Sequence, residues 1–294
     1  MLPYRGRFAP SPTGNPHLGT LIAAVASYLQ ARKHNGAWLL RIEDVDTGRR
    51  VPGADASLLR VLEKFGFEWD QAVVWQSSRT GLYQQALEQL IADERTFPCT
   101  CSRKLLAQTA TELSGIYPGT CRTRKPPLQH EHAIRLRVAD VTIRFEDAVA
   151  GEYSQSLTRD CGDFVVKRRD GLFAYQLAVI VDDAQQSVTE VVRGADLLDS
   201  TPRQIYLQRC LGYAEPDYLH LPLILDRHGR KLSKSEGSAE LDPAKPGISL
   251  HTALSHLGQH PPAELAQARP ADIWQWAVEN WDSSKIPKTP SILK

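Results

Sequence analysis

Long apolar runs are missing from this sequence. The longest, Leu21 to Leu29, covers nine residues, where a membrane-spanning helix needs about twenty. The amino-terminal Met1-Leu2-Pro3-Tyr4-Arg5-Gly6-Arg7 has no apolar stretch behind its basic residues, so it does not read as a secretory signal. Cysteine is scarce and odd in number, five in 294 residues. That argues against a disulfide-built scaffold and for thiol or metal chemistry in a reducing compartment, so the expected location is the cytoplasm. Internal repeats and low-complexity tracts are also lacking, which excludes solenoids and fibrous classes. Net charge is nearly absent too, at +1, and selects no class of partner.

What is present is an ordinary globular mixture, 42% hydrophobic and 23% charged, with length enough for one large or two modest domains. Charge is unevenly placed. Between Arg95 and Arg169 there are 13 Lys/Arg against 8 Asp/Glu, a pattern that fits either a phosphate-facing surface or a solvated one. The opening reads as a strand (Tyr4 to Ala9), a Gly/Pro-rich turn and a helix (Leu18 to His34) with Gly36 as its stop. A buried-strand candidate follows at Ala37 to Ile42, then helical patterns at Ala54 to Phe65 and Thr80 to Glu94. This alternation makes a parallel α/β sheet the default. After Arg95 the chain turns Cys- and turn-rich to about Pro127, then shows β-like alternation from Ala133 to Arg144. Phe164 to Asp183 and Ser187 to Val192 read as strand-like runs, and Pro202 to Leu211 as a helix. Short helical candidates near Ser249 to Leu257 and Ile273 to Trp281 complete a Pro-punctuated tail. The expected organisation is an α/β domain in two halves, 1–94 and 164–239, an insertion at 95–163, and a short helical tail at 240–294.

Three segments carry chemistry. In the first, Arg7-Phe8-Ala9-Pro10-Ser11-Pro12-Thr13-Gly14-Asn15-Pro16-His17-Leu18-Gly19-Thr20, a turn feeds a helix N-terminus whose unpaired N–H groups suit a phosphate. His17 there would donate to a phosphate oxygen, and Gly19 would admit a close-lying adenine ring. The second is Lys231-Leu232-Ser233-Lys234-Ser235, two lysines three apart, suited to clamping a triphosphate. The third is Cys99-Thr100-Cys101 followed by Cys121, three thiolates on a turn-rich stretch that suit one structural zinc. By chemistry its fourth ligand would be His130, His132 or Cys161. Cys161 and Cys210 otherwise read as ordinary thiols.

The first two segments together resemble the HIGH and KMSKS signatures of class I aminoacyl-tRNA synthetases. The Arg7-to-Gly14 run and Arg41-Ile42-Glu43-Asp44-Val45-Asp46 are similar to the glutamyl branch. So are Tyr175 with Val181-Asp182-Asp183, and Val192-Arg193-Gly194-Ala195-Asp196 leading to Ser200-Thr201-Pro202-Arg203-Gln204. The resemblance spans Arg7 to Ser235 and departs at Thr20, where HIGH has its second histidine. It implies a Rossmann-like parallel sheet, ATP with Mg2+ as substrate, and His17, Lys231 and Lys234 as catalytic residues, with His17, Gly19 and Lys234 toward ATP. Glutamate would meet Arg7, Ala9, Ser11, Glu43, Tyr175 and Arg193. By the same resemblance Tyr117 is the fourth zinc ligand beside Cys99, Cys101 and Cys121.

A tRNA-discriminating member of that branch carries a large helical anticodon reader after KMSKS, whereas here only residues 236–294 follow Ser235. This shortness and the Cys-x-Cys insertion resemble a truncated paralogous branch. Its members activate glutamate and transfer it to queuosine at the wobble base of tRNA(Asp). The implied partner is the tRNA(Asp) anticodon stem-loop, with no membrane contact, and the expected state is a monomer. Two other readings compete: a short synthetase charging the 3′ end of tRNA(Glu), and a non-catalytic tRNA-binding paralogue. The Lys231-to-Ser235 loop argues against the second.

Overall fold

The computed structural model describes residues 3–102, 105–106, 116–123, 131–225, 241–289 and 291–293. Lys231 and Lys234, and with them the whole Lys231-to-Ser235 loop, lie outside the described residues, as does His130.

Strand β1 (Arg5–Phe8) runs into the Pro-rich turn and helix α1 (Leu18–Lys33), which returns the chain to β2 (Ala37–Ile42). The two strands pair in parallel, Arg5 opposite Ala37 through Phe8 opposite Leu40, as a right-handed β-α-β unit requires of its crossover helix. Helix α1 is buried on nearly every face, including Leu21, Ile22, Ala24, Val25, Ala26 and Leu29, because it is covered on both sides. The chain leaves it through Asn35 in the left-handed region (φ 50°) and Gly36. A Cβ on Gly36 would meet the Tyr4 carbonyl oxygen at 2.4 Å, so the turn back to the sheet closes only with glycine.

Helix α2 (Ala54–Lys64), β3 (Val74–Trp75) and α3 (Thr80–Ala92) follow, and β3 adds in parallel to the far side of β2. Next come β4 (Thr96–Cys99), β5 (Ala133–Leu136), β6 (Thr142–Asp147), β7 (Gly151–Ser156) and β8 (Val165–Lys167). β4, β5 and β8 form a separate antiparallel sheet in that spatial order. Pro98 sits in β4, an edge strand where a missing N–H costs little. The β6–β7 hairpin joins the other half of the central architecture instead. With β9 (Glu190–Gly194) and β10 (Asp217–Leu221) it makes a sheet of order β7-β6-β10-β9, in which β10 runs parallel to both neighbours. β1 lies against β9, where the Thr189 N–H donates to the Arg5 carbonyl at 2.9 Å. The order therefore reads β3-β2-β1 then β9-β10-β6-β7, with the chain turning opposite ways from β1 and from β9.

The apolar stretch Tyr175–Gln185, expected as strand, is helix α4. Leu177, Ala178, Val179, Ile180 and Val181 are all buried. A run that is apolar on every face carries no period to distinguish strand from helix, and its length favours the helix. Helices α5 (Thr201–Leu211), α6 (Pro246–His256) and α7 (Pro270–Asn280) complete the chain with β11 (Leu223–Leu225) and β12 (Ser291–Leu293), which pair in parallel. α5, α6 and α7 start on or beside a proline, the first-turn position that needs no N–H donor.

Two apolar cores result. The first joins β1, α1, β2 and α2 to α6 and α7, and contains a stack of Tyr28, Trp38, Phe67 and Trp274 with ring centroids 4.8 to 5.4 Å apart. Each such aromatic pair is worth about 0.5–1.5 kcal/mol beyond its buried area. The second unites α3, α4 and α5 with β6 and the antiparallel sheet. Among the described residues no helix is long and apolar enough to cross a membrane.

Candidate functional site

A cavity of about 550 Å³ opens at the carboxyl ends of β1, β9 and β10. That is the crevice where an open parallel sheet reverses its winding and where its loops converge on a ligand. Arg7, Ala9, Ser11, His17, Gly19, Glu43, Tyr175 and Arg193 all line it. Eight residues spread over most of the sequence thus meet in one place.

Arg7 is 3% exposed, and its partners determine which edge faces the cavity. Its Nε donates to Asp183 Oδ1 at 3.0 Å, Nη2 to Oδ2 at 3.5 Å, and Nη1 to the Val192 carbonyl at 3.5 Å. Asp183 therefore occupies the side edge of the guanidinium, and one hydrogen on each of Nη1 and Nη2 remains to meet a ligand carboxylate. Arg41, fully buried, donates to the same Asp183 Oδ1 at 2.8 Å and to Gln186 Oε1 at 2.7 Å, with Glu43 Oε1 at 3.6 Å. Asp182 behind it takes Gln76 at 2.8 Å, Tyr83 at 2.7 Å and Arg79 at 2.6 Å. Three arginines thus face three carboxylates, Asp182, Asp183 and Glu43, in a largely dry cluster.

That cluster sets the state of Glu43, whose side chain is 9% exposed and whose backbone N–H is fixed on the Pro10 carbonyl at 3.0 Å. Burial pushes its carboxyl up to about 7, against the pull of Arg41 and Arg7 and with the help of Asp183 and Asp182. A carboxylate so poorly solvated gains most from a cation brought in by a ligand. Burial likewise raises the Tyr175 phenol, whose oxygen accepts from Arg193 Nη1 at 3.4 Å and whose own proton is then available to donate. Two guanidiniums with N–H groups to spare, a carboxylate and a phenol are the complement of an amino acid with a second carboxylate.

The opposite end of the cavity is the start of α1. His17 caps it, with Nδ1 accepting the Thr20 N–H at 3.4 Å, which leaves Nε2 as the other ring donor or acceptor. A Cβ on Gly19 would meet the His17 ring at 3.1 Å, so this glycine clears the imidazole. The helix N-terminus and Gly19 together suit an anion.

The histidine behind Arg193 is absent from the sequence expectations. Arg193 Nε donates to His220 Nε2 at 3.0 Å, and His220 Nδ1 meets Asp147 Oδ2 at 2.6 Å. A lone histidine in an apolar strand reads as core, and Asp147 lies 73 positions earlier; only the parallel pairing of Tyr218 with Asp147 joins them.

Away from the cavity, the Cys99, Cys101 and Cys121 sulfurs lie within 4.8 Å of one another, the Cys101–Cys121 separation being 3.5 Å. A tetrahedral zinc with bonds of about 2.3 Å spaces its sulfurs about 3.8 Å apart, so the thiols fit a metal with little movement. The Tyr117 oxygen stands 3.6 Å from Cys99 Sγ and 3.9 Å from Cys101 Sγ, and accepts the Cys121 N–H at 2.7 Å. Burial opposes ionisation of Cys121, but hydrogen bonds from the Thr100 backbone, Tyr117 and the neighbouring thiols bring it down to about 7. Cys161 and His132 stand outside this cluster; burial pushes the Cys161 thiol up to about 11. Arg135 stacks over the Tyr117 ring at 4.0 Å, tying the cluster to β5.

The family described as tRNA synthetases class I (E and Q), catalytic domain, matches residues 4–243. A Glutamyl-Q tRNA(Asp) synthetase of Ectopseudomonas mendocina is 53% identical over 99% of this chain and 97% of its own length. One of Methylococcus capsulatus is 53% identical over 97% and 93%. Among solved structures, a glutamate tRNA ligase from Elizabethkingia meningosepticum, crystallised in complex with its amino acid, superimposes with a TM-score of 0.83 at 26% identity. The match covers 98% of this chain and 66% of that one.

Proposed function

The chain belongs to the class I tRNA synthetases of the E and Q type, and from that premise we propose that it activates L-glutamate with ATP and transfers it to queuosine at the wobble position of tRNA(Asp). The observation that carries the first half is the convergence of Arg7, Arg193, Tyr175 and Glu43 on one cavity beside the α1 N-terminus. The second half is supported by relatives of that printed name, matched along nearly their whole length.

In this reading Arg7 Nη1 and Nη2 hold one carboxylate of glutamate, while Arg193 Nη1 and the Tyr175 hydroxyl hold the other. Glu43, ionised, takes the α-ammonium. The α-carboxylate oxygen then attacks the α-phosphorus of ATP in line, the bond to the bridging oxygen breaks, and pyrophosphate leaves. Positioning and electrostatics dominate such a step. Ala9 and Ser11 line the approach to the glutamate. His17, Gly19 and the α1 N-terminus receive the phosphates, with Mg2+ accompanying ATP, and Lys231 and Lys234 clamp the leaving charge. A hydroxyl of the queuosine cyclopentene-diol next attacks the activated carbonyl, and AMP departs. Cys99, Cys101 and Cys121, with Tyr117 as fourth ligand, would hold one zinc ion that fixes the insertion and supplies no chemistry to the reaction. The protein is assigned to the cytoplasm as a monomer.

The test is incubation with ATP, Mg2+, radiolabelled glutamate and purified tRNA(Asp), with and without queuosine, beside tRNA(Glu). Label on queuosine-containing tRNA(Asp) alone is expected. Label on tRNA(Glu) alone would move the assignment to a short glutamyl-tRNA synthetase, and RNA binding without ATP–pyrophosphate exchange would leave a non-catalytic paralogue.

A further inference from the structure

A guanidinium has five N–H groups, and the number left over after its structural bonds decides how it can meet a ligand. Arg193, 6% exposed, gives Nε–H to His220 Nε2 at 3.0 Å. Its Nη2 serves Thr201 Oγ1 at 2.7 Å and the Leu197 carbonyl at 3.4 Å, and its Nη1 serves the Tyr175 oxygen at 3.4 Å. One Nη1 hydrogen remains for the cavity. The direction in which it points is set by the group on the opposite side of the guanidinium, which is the His220 ring.

His220 Nε2 can accept from Arg193 only when the ring proton sits on Nδ1. Asp147 enforces that tautomer, because its Oδ2 lies 2.6 Å from Nδ1. Asp147 is in turn immobilised by the backbone N–H groups of Val149 at 3.0 Å, Ala150 at 2.8 Å and His220 itself at 3.1 Å. His220 and Asp147 are each 1% exposed. We propose that Asp147 and His220 are positioning residues that hold Arg193 in register with the second carboxylate of glutamate. The proposal rests on the glutamate reading given above. The competing account, a core pair that merely joins β6 to β10, places no demand on which ring nitrogen keeps its partner.

The variants His220→Gln and His220→Asn separate the two. Glutamine carries its amide oxygen to where Nε2 accepts from Arg193, whereas asparagine keeps only the donor toward Asp147. In glutamate-dependent ATP–pyrophosphate exchange, H220N is expected to raise the glutamate KM about tenfold or more, the usual scale for losing one charge-assisted bond. H220Q should stay within about threefold, and both variants should keep kcat and the ATP KM near wild type, as loss of uniform substrate binding requires. Equal glutamate KM values in the two variants, or a fall in kcat with the ATP KM rising alongside, would overturn the positioning role. If H220N does not fold, Asp147→Asn takes its place: the Val149 and Ala150 N–H groups hold the amide oxygen at the Oδ1 position, the NH₂ then faces His220 Nδ1 and reverses the tautomer, and an unchanged glutamate KM there overturns the role equally. Wild-type protein in the same assay carries the glutamate reading itself. No glutamate-dependent exchange in wild type discards both, whereas normal wild-type exchange with unaltered variants discards the positioning role alone.

Discussion

Replacing Asp183 by asparagine removes one charge from the cluster beneath the cavity while leaving its shape almost unchanged. The carboxylate serves Arg7 at 3.0 and 3.5 Å and Arg41 at 2.8 Å, and all three side chains are 6% exposed or less. An asparagine can still accept one of those bonds, but it turns an NH₂ group toward a cation and leaves two buried guanidiniums sharing fewer negative charges. Removing one partner of a buried pair costs about 3–5 kcal/mol, which in a chain of this size lowers the thermal midpoint by roughly ten degrees. Denaturation of D183N beside wild type, followed by circular dichroism, measures it. The pH dependence gives a second, independent reading. Burial alone would raise the Asp183 carboxyl, yet Arg7 and Arg41 outweigh it and hold the group below the ordinary carboxylate range. A depressed folded-state value stabilises above the unfolded value and is lost as pH falls through the folded one. The penalty of D183N is thus largest at neutral pH and shrinks in acid. A penalty below about 1 kcal/mol at pH 7, or one that persists undiminished in acid, would refute the charge balance described for this cluster.

Three further outcomes are expected. Because the Glu43 carboxyl stands at about 7, the glutamate KM should rise about tenfold per pH unit below that value as the ammonium partner protonates; Glu43→Gln should abolish the acid limb, and a flat KM between pH 6 and 8 would contradict the role. Wild-type protein should carry one zinc per chain by elemental analysis, and Cys121→Ser should lose most of it and unfold at lower temperature, since metal affinity and folding are linked; metal-free wild type would overturn the zinc assignment. Gly258 has φ +72° and would bring a Cβ to 2.2 Å from the Lys285 carbonyl oxygen, so Gly258→Ala should destabilise by about 2 kcal/mol or more; a change within about 0.5 kcal/mol in urea denaturation would show that this turn relaxes freely.

The residues proposed to meet glutamate were named from the sequence through its motifs, and they line one cavity. Arg7, Glu43 and Arg193 stand in motifs similar to those of the glutamyl branch, and such motifs are visible without a structure. The groups that orient them are not. Asp147 lies just past the β-like stretch read to Arg144 and His220 in a segment given no reading, and their contact depends on a parallel register between segments 73 residues apart. The same limit explains α4, in which apolarity on every face erased the helical period. It explains β12 as well, a three-residue strand whose partner β11 is no neighbour in sequence. Periodicity reports a segment's surroundings only when those surroundings differ from side to side.

The first apolar core has a consequence for biosynthesis. Tyr28, Trp38 and Phe67 leave the ribosome about two hundred residues before Trp274 in α7, which closes their stack. Leu250, Ala253 and Leu254 of α6 arrive almost as late. Translation at about 5–20 residues per second leaves α1 and β2 without that cover for roughly ten seconds or longer. During that interval their rings present an apolar surface of the kind that chaperones and aggregation compete for. The yield of folded protein should therefore respond to elongation rate and to chaperone supply, although the finished chain depends on neither.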